Sequence, residues 1–324
     1  MADERRDRLG PWAATLRLPL IAAPMFLVSG PQLVLASCRA GIIGSFPAPN
    51  ARTLETLDVW MREVSEGHAL CAAQRPRYLG PWALNLVTHS SYERLPVELD
   101  LVTKYQPPLV ITALGSPIPA IERVQAYGGK VFADVSSLAF ARKAAAAGVD
   151  GLMLVSAGAG GHTGKLSPFA FVEAVREFFD GIIVLSGALG SGQALRAAEI
   201  LGADLANAGT PFIVAEESLA SPRYRDMVVK ASLEDLVLTK VFTGAEAYYL
   251  RESIIAAGLD PDNLRGKEKM DLGDAQSQIK AWKDIWSAGQ GVNHIHAVES
   301  VEAIVARYEA EYRRAVSATS RFAQ

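Results

Sequence analysis

Ala146-Ala147-Gly148-Val149-Asp150-Gly151-Leu152-Met153-Leu154-Val155 ends a helix, turns the chain and starts a buried strand in one short run. Leu138 to Ala147 has helical spacing, and a glycine at its end can adopt the left-handed conformation that closes a helix. The apolar stretch Gly151 to Val155 then has the length and composition of a strand. The same punctuation recurs at Leu201-Gly202-Ala203-Asp204 and at Arg39-Ala40-Gly41-Ile42. Directly after the strand comes Gly158-Ala159-Gly160-Gly161-His162-Thr163-Gly164, a glycine-dense loop carrying one imidazole. Such a loop lets the backbone approach something flat or anionic while a titratable ring reaches the same place. Taken alone, it also fits a flexible connection with a solvated histidine.

Outward from this unit, short apolar runs recur at Leu20 to Ala23, Gly41 to Gly44, Trp82 to Val87, Leu109 to Ala113, Lys130 to Val135, Gly181 to Leu185 and Ala203 to Ala206. Helix-spaced segments separate them: Gln32 to Arg39, Thr53 to Val64, Leu95 to Lys104, Ile118 to Ala126, Pro168 to Phe178, Gln193 to Leu201 and Phe212 to Glu217. Eight alternating units make up the count of a (β/α)8 TIM barrel, with a doubly wound open sheet as the alternative. After Glu217 the texture changes to aromatic-rich helical segments, a Thr239-Lys240-Val241-Phe242-Thr243-Gly244 run and a polar stretch from Asp260 to Asp274. The expected organisation is a barrel over residues 1–217, completed by a C-terminal helix within 297–324. Residues 218–296 then form a smaller, mostly helical substrate lobe over the barrel mouth.

The chain has 324 residues, half of them apolar, and a net charge of −3. That charge gives no strong electrostatic attraction to nucleic acid or an anionic membrane, so the expected partner is a small molecule. Cys38 and Cys71 are too few for a disulfide framework and have no zinc-ligand spacing around them, which suits a reducing cytoplasm. The run Met1 to Leu9 is charged and lacks the apolar core of a signal peptide, and no uncharged apolar stretch long enough for a membrane span follows. A cytoplasmic location is expected, and a homo-oligomer is left open.

Barrel enzymes hold phosphate groups in the loops after strands seven and eight, where glycine amides sit beside a helix N-terminus. Here those loops are Ser186-Gly187-Ala188-Leu189-Gly190-Ser191-Gly192 and Asn207-Ala208-Gly209-Thr210-Pro211-Phe212. At the first strand, Ala23-Pro24-Met25 offers a soft apolar wall for a planar ring, although Met25 also suits core packing. Asn85 is an amide inside an apolar strand and needs a partner, either a ligand edge or a structural hydrogen bond. His294-Ile295-His296 has the spacing of a strand-borne metal pair, but more often such rings are solvated, and no metal is expected.

Together these stretches resemble the nitronate monooxygenase family, once called 2-nitropropane dioxygenases. The resemblance rests on Ala23-Pro24-Met25, Asn85, Ala159 to Gly164, Ser186 to Leu189, Ala208-Gly209-Thr210 and Trp286-Ser287-Ala288-Gly289-Gln290-Gly291. It implies an FMN-containing β/α barrel that oxidises an alkyl nitronate with dioxygen to a carbonyl compound and nitrite. By that resemblance His162 is the active-site base or nitronate-orienting group. Ser186, Gly187, Ala188, Ala208, Gly209 and Thr210 surround the cofactor phosphate, while Ala23, Pro24, Met25, Asn85, Asp134, Ala159, Gly160, Gly161, Gln290 and Gly291 lie near the flavin. An FMN-dependent enoyl-thioester reductase using NADH or NADPH is the rival within the same barrel type, and a non-catalytic FMN- or phosphate-binding barrel is a third reading. Two departures from the family pattern stand out. Ala188 replaces the second glycine of the seventh loop, and Asp134 occupies the fifth strand where some relatives place a lysine.

Overall fold

Each strand of the central sheet is short and apolar enough to be buried on both faces, as a parallel sheet wrapped by helices requires. The computed structural model describes residues 7–264 and 283–318. The first residues of the Met1 to Leu9 run, residues 265–274 of the polar stretch and the end of the 297–324 segment lie outside the described residues. The barrel strands are β1 (Leu20–Ala22), β2 (Ile43–Pro47), β3 (Trp82–Val87), β4 (Leu109–Ala113), β5 (Lys130–Val135), β6 (Gly151–Val155), β8 (Ile182–Ser186) and β9 (Leu205–Ala208), and a two-residue strand β7 (Gly161–His162) lies outside the barrel. All neighbouring barrel strands pair in parallel, and β9 returns to β1 through Ala22 opposite Ala208, closing the barrel. The open-sheet alternative is thereby removed.

Between the strands run α1 (Pro31–Arg39), α2 (Leu54–Ala73), α3 (Leu95–Tyr105), α4 (Ile118–Gln125), α5 (Leu138–Ala146), α6 (Pro168–Arg176), α7 (Gly192–Leu201) and the single turn α8 (Thr210–Ile213). Helix α2 continues past the expected end at Val64 as far as Ala73, through Gly67. A glycine inside a helix costs about 1 kcal/mol, but Glu66, Ala69, Leu70, Ala72 and Ala73 around it are good formers. Gly67 also lets α2 approach α1, since a Cβ there would lie 2.8 Å from Leu35 Cδ1. Helix α8 stops at Ile213, short of the expected Glu217.

The repeated glycine-to-aspartate punctuation has a clear structural purpose. Gly41, Gly148 and Gly202 all take positive φ, at 82°, 90° and 106°. The aspartate that follows the second and third of them then clamps the preceding strand. Asp150 donates its amide to Val131 O (2.9 Å) and accepts Val131 N on Oδ2 (2.8 Å). Asp204 does the same with Ile183, at 2.7 and 2.8 Å. Asp204 is also fully buried and ion-paired to Arg8 and Arg176, so its charge is neutralised at the bottom of the barrel. Leu9, Trp12 and Leu16 plug that end against Ile21, Ile111 and Phe132, with Trp12 and Phe132 edge-to-face at 6.2 Å.

After α8 come α9 (Pro222–Lys230), β10 (Leu236–Thr239), β11 (Ala247–Leu250) and α10 (Arg251–Ala256), and the chain returns to the barrel through α11 (Val301–Ser317). The region between them therefore holds an antiparallel hairpin as well as helices. Strand β7 adds to the edge of that hairpin, His162 opposite Ala247, so the glycine–histidine loop is one strand of a three-stranded sheet. Helix α11 lies along α7, and its Tyr308 hydroxyl donates to Leu189 O at 2.8 Å, bracing the loop after β8. Among the described residues no helix is long and apolar enough to cross a membrane.

Candidate active site

A cavity of about 1960 Å³ opens at the C-terminal ends of the barrel strands. This is larger than the ~300–1,000 Å³ of an ordinary small-molecule site, so it has room for two ligands side by side. Ala23, Pro24, Met25, Asn85, Asp134, Ala159, Gly160, Gly161, His162, Ser186, Gly187, Ala188, Ala208, Gly209, Thr210 and Gly291 all line it. Gln290 does not: it is exposed, and its Nε2 donates to the Tyr248 hydroxyl at 2.9 Å.

Hydrogen bonds tie the loops after β6, β8 and β9 to one another. Gly158 O accepts the amides of Ala188 (3.2 Å) and Gln290 (2.9 Å), and Thr210 Oγ1 accepts that of Gly289 (2.8 Å). Side chains cannot fit at the crossing. A Cβ on Gly160 would lie 2.7 Å from Gly289 N, and one on Gly187, whose φ is 125°, would lie 2.5 Å from Ser156 Oγ. The loop after β1 is clamped from a different direction. Asn50 accepts Leu27 N on Oδ1 (2.8 Å) and donates Nδ2 to Met25 O and Ser29 O, while Ser29 Oγ accepts Met25 N. Sequence reasoning missed Asn50; the only trace of it was an amide directly after Pro47-Ala48-Pro49.

His162 Nε2 lies 3.2 Å from Thr243 Oγ1, and Thr243 Oγ1 lies 3.2 Å from Ala245 O. With the threonine's one hydrogen on the Ala245 carbonyl, which can only accept, the imidazole Nε2–H is the donor to Thr243. That tautomer leaves Nδ1 as the basic nitrogen. Burial lowers the imidazole pKa below its usual value, which keeps the ring neutral near pH 7. Thr243 is buried and belongs to the Thr239 to Gly244 run, so only the fold discloses its link to His162. Thr243→Val is expected to lower turnover by about tenfold by freeing the tautomer, with Thr243→Ser restoring it, as steady-state rates on both variants will measure.

Asn85 donates Nδ2 to Ile111 O at 3.1 Å, which fixes its amide plane on the cavity wall. His294 and His296 are exposed on either side of buried Ile295, and His294 ends a 3₁₀ turn instead of lying in a strand.

The nitronate monooxygenase family model matches residues 78–308, well over half of the chain. The chain belongs to the nitronate monooxygenase family. A nitronate monooxygenase from Paraburkholderia phytofirmans is 27% identical over 278 residues, spanning 75% of this chain and 76% of that protein. A probable nitronate monooxygenase from Staphylococcus saprophyticus is 25% identical, spanning 90% of this chain and 94% of that one. Among solved structures, nitroalkane oxidase from Streptomyces ansochromogenes superposes with a TM-score of 0.73 at 22% identity, covering 98% of this chain and 100% of its own. As a nitronate monooxygenase family member the protein is a flavin-dependent oxidoreductase.

Three non-glycine residues with left-handed φ line the cavity: Leu27 (62°), Leu114 (61°) and Ala188 (57°). Such backbone costs about 1–2 kcal/mol per residue. At Ala188 the loop thus keeps a glycine-type conformation although the residue is alanine.

Proposed function

We propose that the protein oxidises alkyl nitronates with dioxygen, using FMN and releasing a carbonyl compound and nitrite. The observation that carries this reading is the convergence of His162 and the loops after β1, β6, β8 and β9 on one cavity. The fit of the cofactor is supported by polar atoms that the protein itself leaves unsatisfied. Asp134 Oδ1, Asn207 Oδ1 and Ser287 Oγ are buried without a hydrogen-bond partner among the described residues, and all three residues line the cavity. Buried polar groups are ordinarily satisfied, so three such atoms around one cavity ask for bound ligands.

In this reading the glycine-rich turns at Ser186-Gly187-Ala188 and Ala208-Gly209-Thr210 hold the phosphate, and Ala23, Pro24, Met25, Asn85 and Asp134 line the ring. Ala159, Gly160, Gly161 and Gly291 pack close to it, and Gln290 supports them from outside through its amide bond to Gly158 O. FMN supplies the electron exchange with substrate and oxygen. The protein supplies the rest. Neutral His162 accepts a proton from a nitroalkane carbon or holds the nitronate oxygens, and the segment 218–296, whose strand β11 is joined to the 1–217 and 297–324 barrel unit through β7, shapes the substrate end.

The test is direct. The protein is expected to purify yellow, to release its flavin as FMN on denaturation, and to form nitrite from propyl-2-nitronate in air. Rapid NADH or NADPH consumption with an enoyl thioester, and no nitrite, would replace this reading with the reductase.

A further inference from the structure

The fifth strand places an unpartnered carboxyl oxygen among the cavity-lining residues. Asp134 sits near the C-terminal end of β5, opposite Met153 of β6, and its Oδ1 is sealed from solvent with no hydrogen-bond partner. Among the described residues no cation is paired with it. Strands β4 and β6, which flank it, carry no titratable side chain. Of the helices packed on β5, α4 carries Glu122 and Arg123 and α5 carries Arg142 and Lys143, all exposed. Around the cavity the remaining charged or titratable groups are Arg52, His162, Glu246, Asp260 and Lys283, with the phenols of Tyr92 and Tyr224 raised by burial.

Such a carboxyl group has two forms with opposite effects on an anion. Ionised, it repels; protonated, it is a hydrogen-bond donor aimed at the ligand. We propose that Asp134 makes anion binding in this cavity proton-coupled: a nitronate or nitrite binds together with one proton, which Asp134 carries and donates as a hydrogen bond to the anion. The exchange balances as Asp134 carboxylate plus one proton plus the anion giving the carboxylic acid hydrogen-bonded to the anion, with no electrons transferred. The proposal rests on the nitronate reading for the identity of the anion, but not for the titration of Asp134.

Burial alone pushes the Asp134 carboxyl up to about 7. His162 is shifted the other way by burial, below its usual value. Above about pH 7 each further pH unit then costs about tenfold in anion affinity, because a proton must be taken up first. Folding carries the same signature. The folded carboxyl binds its proton more tightly than the unfolded one, so the stability contribution is full below the unfolded value and is lost as pH rises through about 7.

The experiment titrates nitrite into the purified flavoprotein across roughly pH 6 to 9, reading the flavin spectrum for affinity and an indicator dye in weak buffer for protons. The wild type is expected to lose affinity about tenfold per unit above neutrality and to take up close to one proton per nitrite at the alkaline end. Asp134→Asn keeps a donor without a titration, so its nitrite affinity should be flat and its proton uptake nil. Asp134→Asn should also melt higher than wild type above pH 7 and not below pH 4, which shows the carboxyl titrating in the folded protein. A pH-dependent affinity retained in the Asn variant, no proton uptake by the wild type, or no saturable nitrite binding at any pH overturns the proposal. The carbon-13 NMR titration of the Asp134 carboxyl needs no flavin. A titration near neutrality in a protein without nitronate turnover would sink the functional reading alone, while a carboxyl titrating near 4 would sink this one alone.

Discussion

His162→Ala is expected to lose about a hundredfold or more in the turnover of a neutral nitroalkane while keeping its flavin, the usual contribution of a positioned base. The cavity wall around His162 explains why the flavin should remain. The imidazole belongs to β7, which is paired through its backbone to β11, so truncating the side chain leaves the strand and its neighbouring glycines in place. The loop is further held by Gly158 O, Thr163 N to Glu246 O and the Thr163 hydroxyl to Ser156 O, none of which involves the ring. A preformed nitronate has already lost its carbon-bound proton, so its turnover should fall much less than that of the nitroalkane. Steady-state oxygen consumption with both substrates reads the difference. Equal losses on the two would make His162 an orienting group and not a base, and unchanged rates on both would take it out of the chemistry. The pH profile has a definite sign. Because burial lowers the imidazole pKa, the nitroalkane rate should hold down to pH values below the usual histidine range before protonation removes the base.

Much of this arrangement could be read from the chain because local rules and the global fold agree. The third, fourth, fifth and sixth strands were legible to the residue, each being an apolar run bounded by glycine, proline or aspartate. The second strand was not. Its start is displaced to Ile43 by the helix-closing turn at Gly41, and it runs on to Pro47 because a proline can end a strand whose last amide is not needed. The sheet of β7, β10 and β11 was hidden for a different reason. Two residues, Gly161 and His162, pair with Ala247 and Tyr248 far along the chain, and no periodicity survives in a two-residue strand. Thr243 and Asn50 were hidden with it, since their importance lies in what they touch. The contacts of Gln290 could not be read from its glycine motif, because its backbone amide and its side chain face different partners.

Gly209→Asp is expected to give a colourless protein. Gly209 precedes the single turn α8, and its amide meets no carbonyl among the described residues, as suits a group kept for a ligand. A Cβ built there lies 3.3 Å from Met25 Sδ and 3.6 Å from the Ala23 Cβ, so a substituent grows along the cavity wall between β9 and β1. The space is tight but not closed, because the near atom is the end of a flexible methionine. The effect of aspartate is therefore electrostatic. A carboxylate about 4 Å from a phosphate dianion is repelled by several kcal/mol even at an effective dielectric near 20, enough to cost about three orders of magnitude or more in affinity. Gly209→Asn has nearly the same shape and no charge, and it should keep most of its flavin. The absorbance of the two purified variants decides the matter. If both are colourless, the loop is sterically intolerant and says nothing of charge; if Gly209→Asp stays yellow, the phosphate is held elsewhere and the assignment of the loops after β8 and β9 fails.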